Sequence, residues 1–488
     1  MAQTPGITST NPARGGDYAL GWLAARDRSF RFEARGVTVS ERSIPQRLFE
    51  LAWPIIGLNV LNVLALAVDT AMVGRLPEAE DALAGLSYAT QVVFLLMVAM
   101  MGLTIGAVAT VARAHGAGDR ERVNHILLQS TQLTIVLSIG VAIAGNLLAE
   151  PILLMLGASP AGMDQGLTYL RPLLTGTVFQ YLTLLYAAVL RGVGNTRLPF
   201  LVALGSNLLN FALNYMLILG NFGAPSLGVF GAAIGTLCSY AAGTFALVWL
   251  LRHDTIEGLF LPLSPRPIDR QLTGELLKVG APAGADMVVL NIGFLSIVGM
   301  LGRIDEAAVA AHGVGLRIQA LAFVPGLSVS QATAAMIGNA LGAGNRREAK
   351  AIVRASVALC MAIMTTLGLT IIAASEPIVH IFDIADGTTL SRLALEWIHL
   401  LGWGMPIVGA HVAFMGMFRG SGNTNTSLLI NVFATLAFQV PMSWLLGFPL
   451  GLGAFGIWLA FPLSFVLKAA CGWVIFGRGR WANIGARV

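Results

Sequence analysis

The sequence predicts an all-α integral membrane protein of twelve transmembrane helices, built as two six-helix bundles related by a pseudo-two-fold axis along the membrane normal. Three observations carry this reading. Of 488 residues 56% are apolar and only 11% charged, against about 25% charged in an ordinary soluble domain. The apolar residues fall in long runs, and in hydrocarbon only a helix satisfies every backbone polar group within one segment. The sequence also repeats itself at a spacing of about half its length, which marks a duplicated unit.

Twelve apolar segments are long enough to span, beginning near Leu48, Leu83, Ile126, Leu167, Leu198, Leu227, Leu276, Val309, Ala351, Leu393, Ser427 and Leu452. The 56 Gly and 20 Pro lie inside these runs as well as between them; small residues allow close helix packing in lipid, and proline bends are tolerated there. Arg113, Arg120 and Arg122 follow the second span and Arg346, Arg347 and Lys350 the eighth, while Glu78, Glu80 and Asp81 lie between the first two. Positive charge marks cytoplasmic loops. Both termini are therefore expected in the cytoplasm, with Arg42 and Arg47 before the first span and Arg478 and Arg480 after the last.

VLRGVGNT (189–196) recurs as MFRGSGNT (417–424), AHGAGD (114–119) as ALGAGN (340–345), and EPI (150–152) as EPI (376–378). Pro54 falls on Pro282, and Gly74-Arg75 on Gly302-Arg303. The expected divisions are a polar cytoplasmic tail over 1–43, bundles over 44–251 and 272–477, a cytoplasmic linker over 252–271 with Pro262, Pro265 and Pro267, and a tail over 478–488. The N-terminal 43 residues carry acids among their arginines and no long apolar run, unlike a signal or transit peptide. Cys238, Cys360 and Cys471 sit in apolar segments without metal-ligand spacing and are expected as small core residues. The net charge of +5 is spread between spans rather than gathered in one domain, so topology accounts for it without nucleic acid.

An ionisable group at bilayer depth needs a reason. Asp69 lies in the first span, with Asn62 seven residues earlier on nearly the same helix face. Asn207, Asn210 and Asn214 share one face of the fifth span and either look toward Asp69 or bond helices together. Asp286 lies in the seventh span, where the repeat has Leu58 in the first. It is a second candidate ion carrier or cation site, or else half of a structural pair with a buried base such as Arg317. Gln91, Arg317 and Gln319 are further candidate substrate contacts. Met97, Met100 and Met101 and His399 and His411 suit packing better than a drug surface or proton relay. Arg191 and Arg419 of the repeated turns are expected to fix loop geometry.

Pro54, Val68-Asp69-Thr70, the two GAG turns, the paired RGxGNT motifs and AHGVGLRIQALAFVPG (311–326) together resemble the multidrug and toxic compound extrusion (MATE) family, over roughly residues 44–477. Asp69, the Pro282-to-Asp286 spacing and the span-eight stretch look more like the DinF-like and related bacterial branches than the NorM type. The resemblance implies two lobes in a V, working as a monomer in the lipid of a bacterial inner membrane. It implies export of small organic, often cationic compounds in exchange for H+ or Na+, with no cofactor. It also assigns Asp69, Asn210, Asn214 and Thr236 to a cation cluster in which the family has an Asp where this chain has Asn214, which puts sodium binding there in doubt. Asn62, Gln91, Asn207, Asp286, Arg317 and Gln319 are the expected substrate side. A lipid-linked sugar flippase of the same superfamily would need a strongly cationic cleft, for which the chain offers Arg171, Arg317 and Lys468 within its spans. A membrane enzyme has no paired-carboxylate, metal or phosphate-loop motif to support it.

Overall fold

The computed structural model describes residues 43–253, 256, 258–262, 266–382 and 384–484. The expected N-terminal tail up to Arg42, Pro265 of the linker and residues 485–488 of the C-terminal tail lie outside them. The compact unit from Ile44 onward is all helix among the described residues. In order it contains α1 (Ile44–Val73), α2 (Ala79–Gly116), α3 (Arg120–Met155), α4 (Pro160–Thr175), α5 (Thr177–Gly192), α6 (Arg197–Leu217), α7 (Gly228–Arg252), α8 (Arg270–Leu301), α9 (Glu306–Gly342) and α10 (Arg346–Ala373). There follow the short α11 (Ser375–Ile381), α12 (Thr389–Gly420), α13 (Thr424–Asn431), a π-helical stretch over Val432–Gln439, α14 (Val440–Gly447), α15 (Gly453–Arg478) and α16 (Trp481–Ile484). Among the described residues eleven helices are long and apolar enough to span, counting α13 through α14 as one, and twelve if α4 and α5 form one span.

Those two are bent by 56°, so the fourth span is broken where the sequence predicts a plain helix. The break falls at Gly176, against which the Leu237 side chain packs so closely that a Cβ would collide. Its repeat equivalent, Gly404, lies inside the continuous α12. The third span does the reverse: α3 runs through Pro151, whereas α10 and α11 part at Ala374, just before the matching Pro377. The halves share a plan and differ in where they hinge.

The repeated motifs are turn and cap chemistry. Gly118 and Gly344 close the GAG turns at φ +74 and +72, a left-handed conformation that glycine adopts without Cβ strain. The next residues, Asp119 and Asn345, cap α3 and α10 by accepting from the N–H groups of Arg122 and Glu348. Side chains such as Leu147, Leu295, Trp403 and Trp473 point outward, as lipid-facing positions require.

The halves pack in a symmetric exchange: α1 lies on α9, and α2 on α8. Leu48, Ala52 and Ile55 of α1 are buried in one cluster with Val329, Ile337 and Phe414 of the second half. Glycines bring α2 and α8 backbone to backbone: a Cβ on Gly102 would stand 2.7 Å from the Gly280 carbonyl oxygen, and one on Gly280 2.6 Å from that of Gly102. On the other side of the exchange, Asn59 Nδ2 donates to Ser328 Oγ over 3.0 Å. Nearest the GAG turns, Gly116 packs on the Asn339 carbonyl and Gly342 on that of Arg113. These contacts run from the end that carries the GAG and RGxGNT turns to about mid-helix, where Asn59 and Ser328 meet.

Only Cys360 of the three cysteines is buried; Cys238 is exposed and Cys471 half-buried, so two are not core residues. In the linker, Asn124 Oδ1 accepts from the Phe260 N–H, and Gln129 and Gln132 donate to the carbonyls of Pro267 and Arg266. The apolar helix α3 thus presents a polar end on which the linker is laid.

Candidate functional site

In the first half, Asp69 sits four residues before the end of α1 and is 8% exposed. Asn214 of α6 donates from Nδ2 to Asp69 Oδ1 over 2.6 Å. Asn214 Nδ2 also lies 3.4 Å from Asn210 Oδ1, and Asn210 Nδ2 donates to Thr236 Oγ1 of α7 over 3.3 Å. The four expected residues therefore form one chain of contacts across three helices. The approach of α6 to α7 depends on Gly235, whose Cβ would collide with Asn214 Oδ1.

Tyr169 of α4, itself buried, and Tyr240 of α7 lie within electrostatic reach of the carboxylate. Sequence reasoning missed both tyrosines. Tyr240 stands one helical turn after Thr236, a spacing that could have revealed it; Tyr169 had no such signal.

Asn207 is not part of this cluster: its amide donates to the Ala203 carbonyl one turn back on its own helix. Asn62 and Gln91 are exposed. α6 runs along α1, with Phe200 against Trp53 at 5.6 Å toward one end and Asn214 against Asp69 toward the other, yet Asn62 between them stays exposed.

The second half holds a matching pair. Asp286 is 1% exposed, and Asn431 donates from Nδ2 to Asp286 Oδ1 over 2.6 Å, while Ser427 Oγ lies 3.5 Å from Oδ2. Both acid–amide pairs are separated by 145 residues, and both join the first and fifth spans of their half. Their depths differ. Under the repeat offset Asp286 falls on Leu58, eleven residues before Asp69, or about 16 Å along a helix.

Arg317 is not the partner of Asp286. It is exposed, with its guanidinium carbon 5.9 Å from the Phe382 ring centroid. Its position on α9 turns it away, and the bases within electrostatic reach of Asp286 are instead Lys468 of α15 and Arg419 of α12. Of the three basic residues expected within the spans only Lys468 is buried, at 1% exposure, with Nζ 4.7 Å from the Phe465 ring centroid; Arg171 and Arg317 are exposed. Gln319 is half-buried with an unpartnered Oε1. Met100 is fully buried; His411 is buried against Phe465, and His399 is exposed and bonded to Ser375. Among the described residues no group of three His, Cys, Asp or Glu side chains is arranged to hold a metal ion.

A family model, MatE, matches residues 54–216 and 282–445, one match on each half. The chain belongs to the MATE family. Its relatives include a protein described as probable multidrug resistance protein NorM from Thermotoga maritima, 28% identical over 441 residues, with 90% of this chain and 93% of that one covered. The multidrug resistance protein NorM of Burkholderia vietnamiensis is 30% identical over 414 residues, covering 84% and 88%. The probable multidrug resistance protein YoeA of Bacillus subtilis is 27% identical over 417 residues, covering 85% and 89%. A crystal structure of a MATE protein in a bent conformation superposes with a TM-score of 0.83 at 21% identity, covering 91% of this chain and 96% of that one. An outward-facing multidrug resistance MATE transporter of the MOP superfamily matches at 0.83 and 22% identity, covering 92% and 98%. As a MATE protein the chain is a multi-span membrane transporter of two six-helix lobes, and the two acid–amide pairs lie one in each lobe.

Proposed function

We propose that this MATE protein is a secondary efflux antiporter of the inner membrane, exporting organic cationic or amphipathic compounds in exchange for protons by alternating access. The observation that carries the reading is the first-lobe pair: a single buried carboxylate, Asp69, held by the amide of Asn214. Sodium is favoured by several fixed oxygens and net negative charge. Here one carboxylate oxygen faces an N–H donor, and Asn214 removes the second acid the family carries. A proton needs only a carboxylate whose surroundings change as the lobes move.

The relatives described as multidrug resistance proteins support a small organic substrate. Lobe contacts gathered at the end bearing the basic loops support a cleft facing the exterior in this conformation. Moving one charge through 100 mV supplies about 2.3 kcal/mol, roughly a 50-fold concentration ratio at about 1.4 kcal/mol per decade. One proton per cycle therefore drives useful export of a neutral amphipathic substrate, whereas a singly charged cation exchanged for one proton moves no net charge and draws on the pH difference alone.

The test is transport of a fluorescent organic cation by purified protein in proteoliposomes, with proton and sodium gradients imposed separately. Wild type responds to the pH gradient, and Asp69→Asn, which keeps the shape and removes the titratable charge, inserts normally but does not. Transport driven by sodium alone would overturn the proton assignment.

A further inference from the structure

Ser427, Asn431, Thr435, Gln439 and Ser443 recur every fourth residue along the whole eleventh span, and all five are buried, at 5%, 0%, 2%, 5% and 0% exposure. In an α-helix a four-residue step turns through about 400°, so such a row drifts about 40° per step and winds off its face. The wider i→i+5 turns of the π-helical stretch over Val432–Gln439 take more residues per turn and rotate the row back. The helix is locally reshaped so that five polar groups stay inside the lobe. At about 1.5 Å per residue the file extends for roughly 20–25 Å, most of the roughly 30 Å hydrocarbon thickness.

At one end Ser427 and Asn431 hold Asp286. Toward the other, Gln439 Oε1 accepts from Ser464 Oγ over 2.9 Å, and Ser443 Oγ donates to the Ile457 carbonyl over 3.0 Å. The centre is different. Thr435 Oγ1 and Asn431 Oδ1 are both buried without a partner, a cost of about 1–3 kcal/mol each unless something meets them. Gly293 makes room for Thr435: a Cβ there would collide with its methyl group. Buried water characteristically satisfies about three such groups at once.

We infer that this file is a proton path inside the second lobe, leading through Thr435 and water to Asp286 from the end of the span that carries Ser443. A proton arriving at that end is handed on by water and hydroxyl groups, each step breaking one O–H bond and forming another, until it rests on the Asp286 carboxylate. The amides of Asn431 and Gln439 orient the file without exchanging protons. The charged groups facing Asp286 are Lys468 from α15 and Arg419 from α12, with the buried His411 in reach of both. Protonating Asp286 leaves these bases less well balanced, so loading the site changes the electrostatics of the whole lobe.

The inference rests on proton coupling, and the experiment separates the two. Wild type, Thr435→Val and Thr435→Ser are reconstituted, ethidium transport driven by a pH gradient is measured, and equilibrium ethidium binding is measured beside it. Valine keeps the shape and loses the hydroxyl, whereas serine keeps the hydroxyl. The expected result is a fall in pH-driven transport of at least about tenfold for Thr435→Val, with Thr435→Ser within about twofold of wild type and binding unchanged in both. Wild type driven by the pH gradient with Thr435→Val equally active overturns the path alone. Equal losses in both variants, with lost binding, assign Thr435 to packing and also overturn it. A wild type indifferent to the pH gradient overturns both readings.

Discussion

Asn214 is where one side chain decides what a carboxylate can do. Its amide gives Asp69 a neutral donor at 2.6 Å, whereas the aspartate that the family resemblance implies there would give a second negative charge and oxygens fit for a hard cation. Asn214→Asp is therefore expected to make transport sensitive to sodium, read as transport at fixed pH with sodium varied; a variant still indifferent to sodium would detach ion choice from this residue. The contact also depends on Gly235. Gly235→Ala overpacks the α6–α7 crossing and is expected to cost about 1–3 kcal/mol, since close-packed interiors do not absorb an added methyl. Thermal unfolding in detergent measures it.

At the scale of elements, the start of α8 joins the two halves. Asp269 caps it, accepting from the N–H groups of Gln271 and Leu272, and pairs with His125 of α3 at 3.1 Å; Arg122 meets Glu275, six residues on, also at 3.1 Å. The hydrogen bond with His125, then that from Leu272, holds the Asp269 carboxyl below its ordinary value of 3.8. A depressed carboxylate contributes stability that is present above its unfolded value and lost as pH falls through the folded one. The cap therefore contributes fully from pH 5 to 8 and weakens only below about pH 4. Asp269→Ala removes the N-cap and is expected to lower the melting temperature, by the same amount at pH 5 and pH 8. A loss that changed between those pH values would overturn this reading of the cap.

For the whole molecule, the contacts that close one end of the lobes are made by glycine. Gly102 and Gly280 bring α2 and α8 within backbone distance, and Gly116 and Gly342 do the same for α2 and α9. A side chain at Gly280 cannot be accommodated without separating the helices. Gly280→Leu is expected to disfavour this conformation, seen as a longer distance between spin labels at exposed positions of α2 and α8 and a several-fold loss of transport. An unchanged distance would mean that the lobes tolerate a wider interface. The orientation argument predicts that a reporter inserted between Glu78 and Asp81 lies outside the cell and that both termini lie inside. A reporter accessible from the cytoplasm would reverse the direction assigned to the cleft.

Fold class, duplication and family were legible in the sequence because each rests on many residues acting alike: lipid demands long apolar helices, and a duplicated chain repeats its turn glycines and caps. Asp69 stood out as an acid at bilayer depth, and the family resemblance implied its grouping with Asn210, Asn214 and Thr236, which hydrogen bonds join into one chain. What the sequence left open was which faces meet. Helical spacing put Asn62 and Asn207 beside Asp69 as readily as Asn210, and only the packed structure, which leaves Asn62 exposed and turns Asn207 to its own helix, excludes them. Asp286 pairs with Asn431 rather than Arg317 because the second lobe turns the eleventh span, not that face of α9, toward it. The four-residue row from Ser427 to Ser443 was present in the letters, but on an ideal helix it would wind off one face. The π-helical stretch, set by packing against α8 and α15, decides that it does not.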